Sequence, residues 1–138
     1  MGVIKQATIK NTRKLAEANK GTSTVTAMGE VLQLTAGLAV VGTSGTTKAT
    51  LLGVCNQTIA AADALTRVSY IVPSDEDTFI FPTTNATLAT DNGQLMVLGS
   101  SSSIVNNTHT TDSNGIVMQV EPYGATGDNL IIGKFLTL

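Results

Sequence analysis

Glu30-Val31-Leu32-Gln33-Leu34-Thr35-Ala36-Gly37-Leu38-Ala39-Val40-Val41-Gly42-Thr43-Ser44-Gly45 carries the pattern that decides the fold. Two aliphatic segments of strand length are bounded by Gly, Ser and Thr, with neither the length nor the 3.6-residue apolar spacing of an amphipathic helix. The same rhythm runs from Met28 to the C-terminus. Short apolar segments broken by Gly, Asn, Asp, Ser and Thr predict strands at 30–34, 37–41, 49–55, 67–72, 78–81, 94–98, 116–120 and 130–136. Alternation is plain in Gly115-Ile116-Val117-Met118-Gln119-Val120. About eight short strands at this spacing predict an all-β domain, a single small barrel or a sandwich. Alanines cluster at 59–65 around Asp63, which suits a helical turn there.

The segments between the strands carry turn chemistry. Thr43-Ser44-Gly45 is expected to close a hairpin between the strands on either side. Asp91-Asn92-Gly93 and Ser113-Asn114-Gly115 each contain the Asn-Gly pair that favours a type I′ turn. No internal repeat is evident.

Residues 1–27 read differently. Five of the eight basic residues fall in the first twenty positions (Lys5, Lys10, Arg13, Lys14 and Lys20), opposed there by Glu17. The remainder of the chain is acidic, so the simplest description is a basic N-terminal arm on an acidic body at 28–138. Val3 to Thr8 alternates as an extended strand would, and Thr12 to Ala18 could form one or two helical turns capped by Asn11 or Thr12. The arm is extended or partly helical on this reading, with too little apolar surface to fold alone. Removal of residues 1–20 is expected to leave a folded body.

At 138 residues the chain suits one domain. Charged residues make up 13% against 42% hydrophobic, well below the roughly 25% charged of an average soluble domain. The surface is therefore neutral and hydroxyl-rich, in runs such as Gly21-Thr22-Ser23-Thr24-Val25-Thr26 and Asn107-Thr108-His109-Thr110-Thr111. Little charge means little repulsion between copies, which favours life in an assembly. No apolar run approaches the roughly 18 residues of a membrane-crossing helix, and no apolar core of a signal peptide follows the N-terminus. Neither a membrane partner nor export by that route is expected. A single cysteine, Cys55, excludes an intrachain disulfide.

Candidates for chemistry are few. His109 is the lone histidine, in a Thr/Asn-rich stretch that reads as a solvated loop, and it has no Cys or His partner for zinc. Cys55 ends the apolar segment Leu51-Leu52-Gly53-Val54-Cys55 and reads as a buried thiol. Asp75-Glu76-Asp77 after Pro73-Ser74 reads as an exposed acidic turn available to a basic partner, without the alternating oxygen ligands and glycine of a calcium loop. Gly42-Thr43-Ser44-Gly45 lacks the Lys-Ser/Thr of a phosphate loop. The basic arm has no aromatic residue to stack on bases, so nucleic acid is not an expected partner. No catalytic residue, metal or cofactor is expected, and the chain is read as a non-enzyme.

Taken in order, Leu51 to Cys55, Ala60-Ala61-Ala62-Asp63-Ala64, Val68-Ser69-Tyr70-Ile71-Val72-Pro73, Asp75 to Phe79 and Ala86-Thr87-Leu88-Ala89 resemble the small head-decoration, or cement, proteins of tailed bacteriophages. The Gly115 to Val120 and Leu130 to Phe135 strands are similar to the close of such domains. The resemblance implies a virion protein, made in the host cytoplasm, that sits on the capsid exterior as a trimer or dimer. It would bind the major capsid protein and stabilise the shell by bridging neighbouring subunits. Lys5, Lys10, Arg13 and Lys14 would then meet acidic capsid surface, and Asp75, Glu76 and Asp77 would offer a second contact. Two alternatives stay open: another phage structural subunit such as a tail tube, head spike or fibre, and a β-sandwich that binds a receptor or glycan.

Overall fold

The computed structural model describes residues 4–5, 14–21, 27–59, 67–74, 76–99, 105–107, 115–124 and 128–136. Among these residues eleven strands follow one another: β1 (Ile4–Lys5), β2 (Leu15–Asn19), β3 (Val31–Thr35), β4 (Leu38–Val41), β5 (Leu51–Cys55), β6 (Arg67–Ile71), β7 (Phe79–Pro82), β8 (Leu95–Leu98), β9 (Val105–Asn106), β10 (Val117–Pro122) and β11 (Leu130–Phe135). All eight strands expected from the sequence are present, displaced by no more than two residues at either end. Among the described residues the one helical element is the 3-10 turn Ala89–Asp91. The protein is all-β.

The strands form two sheets, one in the order β1-β7-β11-β10-β8-β9 and the other β2-β6-β5-β3-β4. Every pairing between named strands is antiparallel. Between the sheets lies a core built from Val31, Val54 and Ile71 of the five-stranded sheet and from Phe79, Phe81, Met96, Val117, Ile131 and Phe135 of the six-stranded one. Each such aliphatic or aromatic side chain contributes about 1.5–3 kcal/mol by leaving water.

The five-stranded sheet is apolar on its other face as well. Leu32, Ala39, Cys55, Ile59 and Val68 are buried there, with Ala18, Leu52 and Tyr70 packed against them. Alternation explains the split, since neighbours such as Val31 and Leu32, or Val54 and Cys55, must point to opposite sides. A sheet can bury both faces of itself by curling. Its two edge strands do meet: Lys20 and Ala39 form a parallel bridge, and the Gly21 N–H donates to the Ala39 carbonyl at 2.9 Å. The six-stranded sheet curls too, since Val105 of β9 bridges Thr83 just after β7 and its carbonyl accepts from the Thr84 N–H at 3.1 Å, so features of the barrel and the sandwich expected as alternatives are combined. A bulge at Leu32/Gln33, opposite the unpaired Leu52, supplies part of the curvature.

Several local expectations change. The 43–45 turn does join β4 to β5, but those strands lie on either side of β3 and do not pair. Threonines hold that loop: the Thr43 N–H donates to Thr46 Oγ1 at 2.9 Å, Thr46 Oγ1 donates to Gln33 Oε1 at 3.0 Å, and the Thr47 N–H donates to Thr50 Oγ1 at 3.0 Å. The hairpin in this region is β3–β4, closed by Ala36 (φ 51°) and Gly37 (φ 81°), the two positive φ values of a type I′ turn. Asp91-Asn92-Gly93 is a type II turn and not I′: Asn92 has φ −58° and ψ 130°, Gly93 has φ 83°, and the Gln94 N–H returns to the Asp91 carbonyl at 3.0 Å. It continues a 3-10 turn and links no hairpin. Of the helical turn expected at 12–18, residues 15–18 lie in strand β2, because pairing with β6 outweighs the slight helix preference of Leu, Ala and Glu. Residues 60–65 of the other expected helical turn, and Ser113 and Asn114 of the last turn, lie outside the described residues.

The N-terminal residues belong to the sheets. Ile4 pairs with Ile80 and Lys5 with Phe79 at the edge of the six-stranded sheet, while Leu15 to Asn19 pair with Ile71 to Arg67 at the edge of the other. Deleting residues 1–20 therefore takes one edge strand from each sheet.

Candidate interaction surface

The backbone pattern of β2 defines its outward edge, which β4 meets at the Lys20 end. The Val72 N–H donates to the Lys14 carbonyl at 2.9 Å, so residues 14 and 72 form a hydrogen-bonded pair. By antiparallel alternation the pairs 16/70 and 18/68 are hydrogen-bonded too, and the backbone groups of Leu15, Glu17 and Asn19 point away from β6. The Ser69 carbonyl, opposite Glu17, accepts from Asn56 on its other side, in keeping with that phase. The Gly21 N–H that reaches Ala39 belongs to the same outward series.

Around this edge, Lys14 is exposed and Lys20 is half-buried. Arg67 Nε donates to Glu17 Oε2 at 3.2 Å and its Nη1 to Asn19 Oδ1 at 3.1 Å. Both side chains of this ion pair are more than half exposed, so it orients β2 on β6 while contributing little stability. Of the other basic residues singled out from the sequence, Lys5 lies in β1 opposite Phe79, and Lys10 and Arg13 lie outside the described residues.

The acidic turn is not uniformly exposed. Asp77 is buried, and its Oδ2 accepts from the Ser74 N–H at 3.0 Å and from Ser74 Oγ at 3.1 Å, while its own N–H returns to the Ser74 carbonyl at 3.1 Å. That carboxylate closes the turn between β6 and β7, since a buried charge requires such partners. Glu76 is exposed; Asp75 lies outside the described residues.

Two buried amides missed by the sequence reading fix the long 83–94 connection. Asn107 Oδ1 accepts from Thr84 Oγ1 at 3.2 Å and the Asn85 N–H at 3.1 Å, and its Nδ2 donates to the carbonyls of Asn85 and Ala86 at 3.0 and 3.3 Å. Gln119 Nε2 donates to the Leu88 carbonyl at 2.7 Å and Asn92 Oδ1 at 2.9 Å. The signal for Gln119 was its place in the alternation, two residues after the inward Val117. With the connection held, Leu88 is presented to solvent at 58% exposure.

Among the described residues no group of three or more His, Cys, Asp or Glu side chains could hold a metal ion, and no helix is long and apolar enough to cross a membrane. His109 lies outside the described residues. Cys55 is buried in the curled sheet, its Sγ donating to the Gln57 carbonyl at 3.0 Å. Burial pushes the thiol's pKa up, with the Glu30 carboxylate acting in the same sense. Because the folded state holds this proton to higher pH than the unfolded chain, stability falls as pH rises above the ordinary thiol value of 9.0 toward the folded one. Thermal midpoints measured from pH 7 to 10 are expected to fall more steeply for the wild type than for Cys55→Ala; equal slopes would refute this assignment.

No protein-family model matches the chain, and comparison with curated protein sequences yields no match.

Proposed function

We propose that the protein is a structural component of a bacteriophage virion that binds the outside of the assembled capsid and bridges neighbouring capsid subunits. The observation that carries this reading is the character of its surface. Large apolar side chains, Met28 at 60% and Leu88 at 58% exposure among them, stand exposed on a chain of which only 13% of residues are charged. Such a surface favours packing against another protein over free solution. The resemblance of the 51–89 stretch to phage decoration proteins supplies the kind of partner. Lys5, Lys10, Arg13 and Lys14 add positive charge near the N-terminal end of an otherwise acidic sequence and would steer it toward acidic subunits.

Binding to the assembled lattice alone stabilises that lattice by mass action, and a bridge across two subunits multiplies modest contacts. The test is co-sedimentation with capsids stripped of decoration, beside unassembled capsid subunits. Saturable binding to shells only, with a raised disruption temperature, is the expected result. Because β1 and β2 belong to the sheets, the basic segment is tested by the combined Lys10→Glu, Arg13→Glu and Lys14→Glu change and not by truncation. It is expected to weaken capsid binding at least about tenfold at low salt. Binding to neither form, or binding indifferent to the charge reversal, would overturn the respective parts of this reading.

A further inference from the structure

Asn92-Gly93 is the one Asn-Gly pair that lies wholly within the described residues, and such a pair carries its own chemistry. The backbone nitrogen that follows an asparagine can attack the side-chain Cγ, and a glycine there offers no side chain to hinder the approach. The Gly93 nitrogen gives its proton to water or hydroxide and bonds to Cγ of Asn92; the Cγ–Nδ2 bond breaks and the amide nitrogen leaves as ammonia. One water molecule then opens the cyclic imide at either carbonyl, to give aspartate or its β-linked isomer. In sum, asparagine and water become aspartate or isoaspartate and ammonia, with no change of oxidation state.

The reaction needs a free Gly93 N–H and an Asn92 side chain able to swing onto it. Gln119 withholds both. Its carbonyl accepts from the Gly93 N–H at 2.8 Å, and its Nε2 donates to Asn92 Oδ1 at 2.9 Å. Two further bonds hold Gln119 against the same connection: its N–H donates to the Gln94 carbonyl at 3.2 Å and its Nε2 to the Leu88 carbonyl at 2.7 Å. From the other side β10 fixes it opposite Gly133 of β11. The Gln119 side chain is fully buried, and its Oε1 has no hydrogen-bond partner, so the amide is oriented by what Nε2 reaches and not by what the oxygen needs. Asn92 and Gly93 are themselves exposed. Hydrogen bonds to one buried residue, and not exclusion of water, therefore stand between this pair and its reaction.

We propose that Asn92 is a deamidation site locked by Gln119, intact while β10 and the 88–94 connection hold together and converted when they part. A β-linked residue at 92 adds one backbone atom inside the turn that the Gln94 N–H closes on the Asp91 carbonyl at 3.0 Å. A copy that has opened and reacted does not regain that turn, so the site records local opening of the fold. The proposal stands independently of the capsid reading, because its test contains no capsid.

The full chain is incubated in mildly alkaline buffer, both folded and unfolded in urea. Mass spectrometry of the peptide spanning residue 92 follows the exchange of the amide for a carboxyl group, and chromatography separates the β-linked isomer. Conversion is expected to be at least about tenfold slower in the folded chain. Gln119→Met removes the side-chain donor while keeping both backbone bonds, and is expected to raise the folded-state rate at least about threefold. Circular dichroism shows whether that variant is folded. Hydrogen exchange at the Gly93 amide needs no variant, and is expected to be slowed at least about tenfold in the folded wild type. An unprotected Gly93 amide, equal conversion in buffer and urea, or a folded Gln119→Met that converts no faster than wild type would each overturn the proposal.

Discussion

Gly53→Ala is expected to destabilise the protein by more than about 4 kcal/mol, a large share of the roughly 5–15 kcal/mol that holds a domain of this size. A Cβ at this position would stand 2.0 Å from the Ile71 carbonyl oxygen and 3.1 Å from its carbon, with Tyr70 Cδ2 also at 3.1 Å. The obstacle is backbone, which no rotamer change can remove. Nor can β6 retreat, because it is held between β5 on one side and β2 on the other, and the Ile71 side chain is fixed in the core between the sheets. Gly53 adjoins the bulge at Leu52, where β5 bends and draws close to its neighbour. The alanine variant therefore has to open the β5–β6 ladder, and with it the curl of the whole sheet. Urea unfolding followed by circular dichroism measures the loss; a midpoint within a few tenths molar of wild type would show that the two strands are not held this closely.

The second large effect is expected at Phe135. Its ring lies 5.2 Å from that of Phe79 at 74° and 5.2 Å from that of Phe81 at 72°, while Phe79 and Phe81 are 6.1 Å apart at 54°. Both Phe135 contacts are edge-to-face, the arrangement that sets the positive rim of one ring against the negative face of another. Phe135→Ala leaves a cavity in a fully buried cluster and is expected to cost about 3–5 kcal/mol. Phe135→Leu keeps much of the volume and loses chiefly the ring contacts. A double-mutant cycle with Phe79→Leu should return a coupling of about 0.5–1.5 kcal/mol. Coupling near zero would reduce the trio to simple volume filling.

The legible and illegible parts of this fold divide along a physical line. Strands such as Val31–Thr35 and Val117–Pro122 declared themselves because aliphatic residues bounded by glycine and hydroxyl residues have few other uses. Which strands pair was not legible in the same way. Thr43-Ser44-Gly45 has the composition of a hairpin turn, whereas the hairpin itself turns on Ala36-Gly37, where alanine adopts φ 51° against its own preference. β2 was obscured because leucine, alanine and glutamate suit a helix locally, and only the distant β6 makes the segment a strand. Gly53 looked like any glycine in an apolar segment, since its necessity comes from a carbonyl eighteen residues further on.

The candidate surface divides likewise. The charge split between the first twenty residues and the rest was plain from composition, as was the turn at Pro73 to Asp77. That Asp77 is committed to Ser74 while Glu76 faces solvent follows from burial, which three adjacent carboxylates do not reveal. Which groups of β2 point away from β6 required the hydrogen-bond phase, a property of pairing and not of any residue.

The docking of the N-terminal segment on both sheets also sets an order of events during synthesis. Ile4-Lys5 and Leu15–Asn19 are synthesised before their partners, Phe79-Ile80 and Arg67–Ile71, which follow about fifty to seventy-five residues later. These strands cannot take their places until β6 and β7 follow, and closure of such long loops slows folding relative to a fold of local hairpins. Throughout that interval β1 and β2 wait without their partners, so rapid translation or crowding of nascent chains would first show itself as misassembly between copies at those two strands.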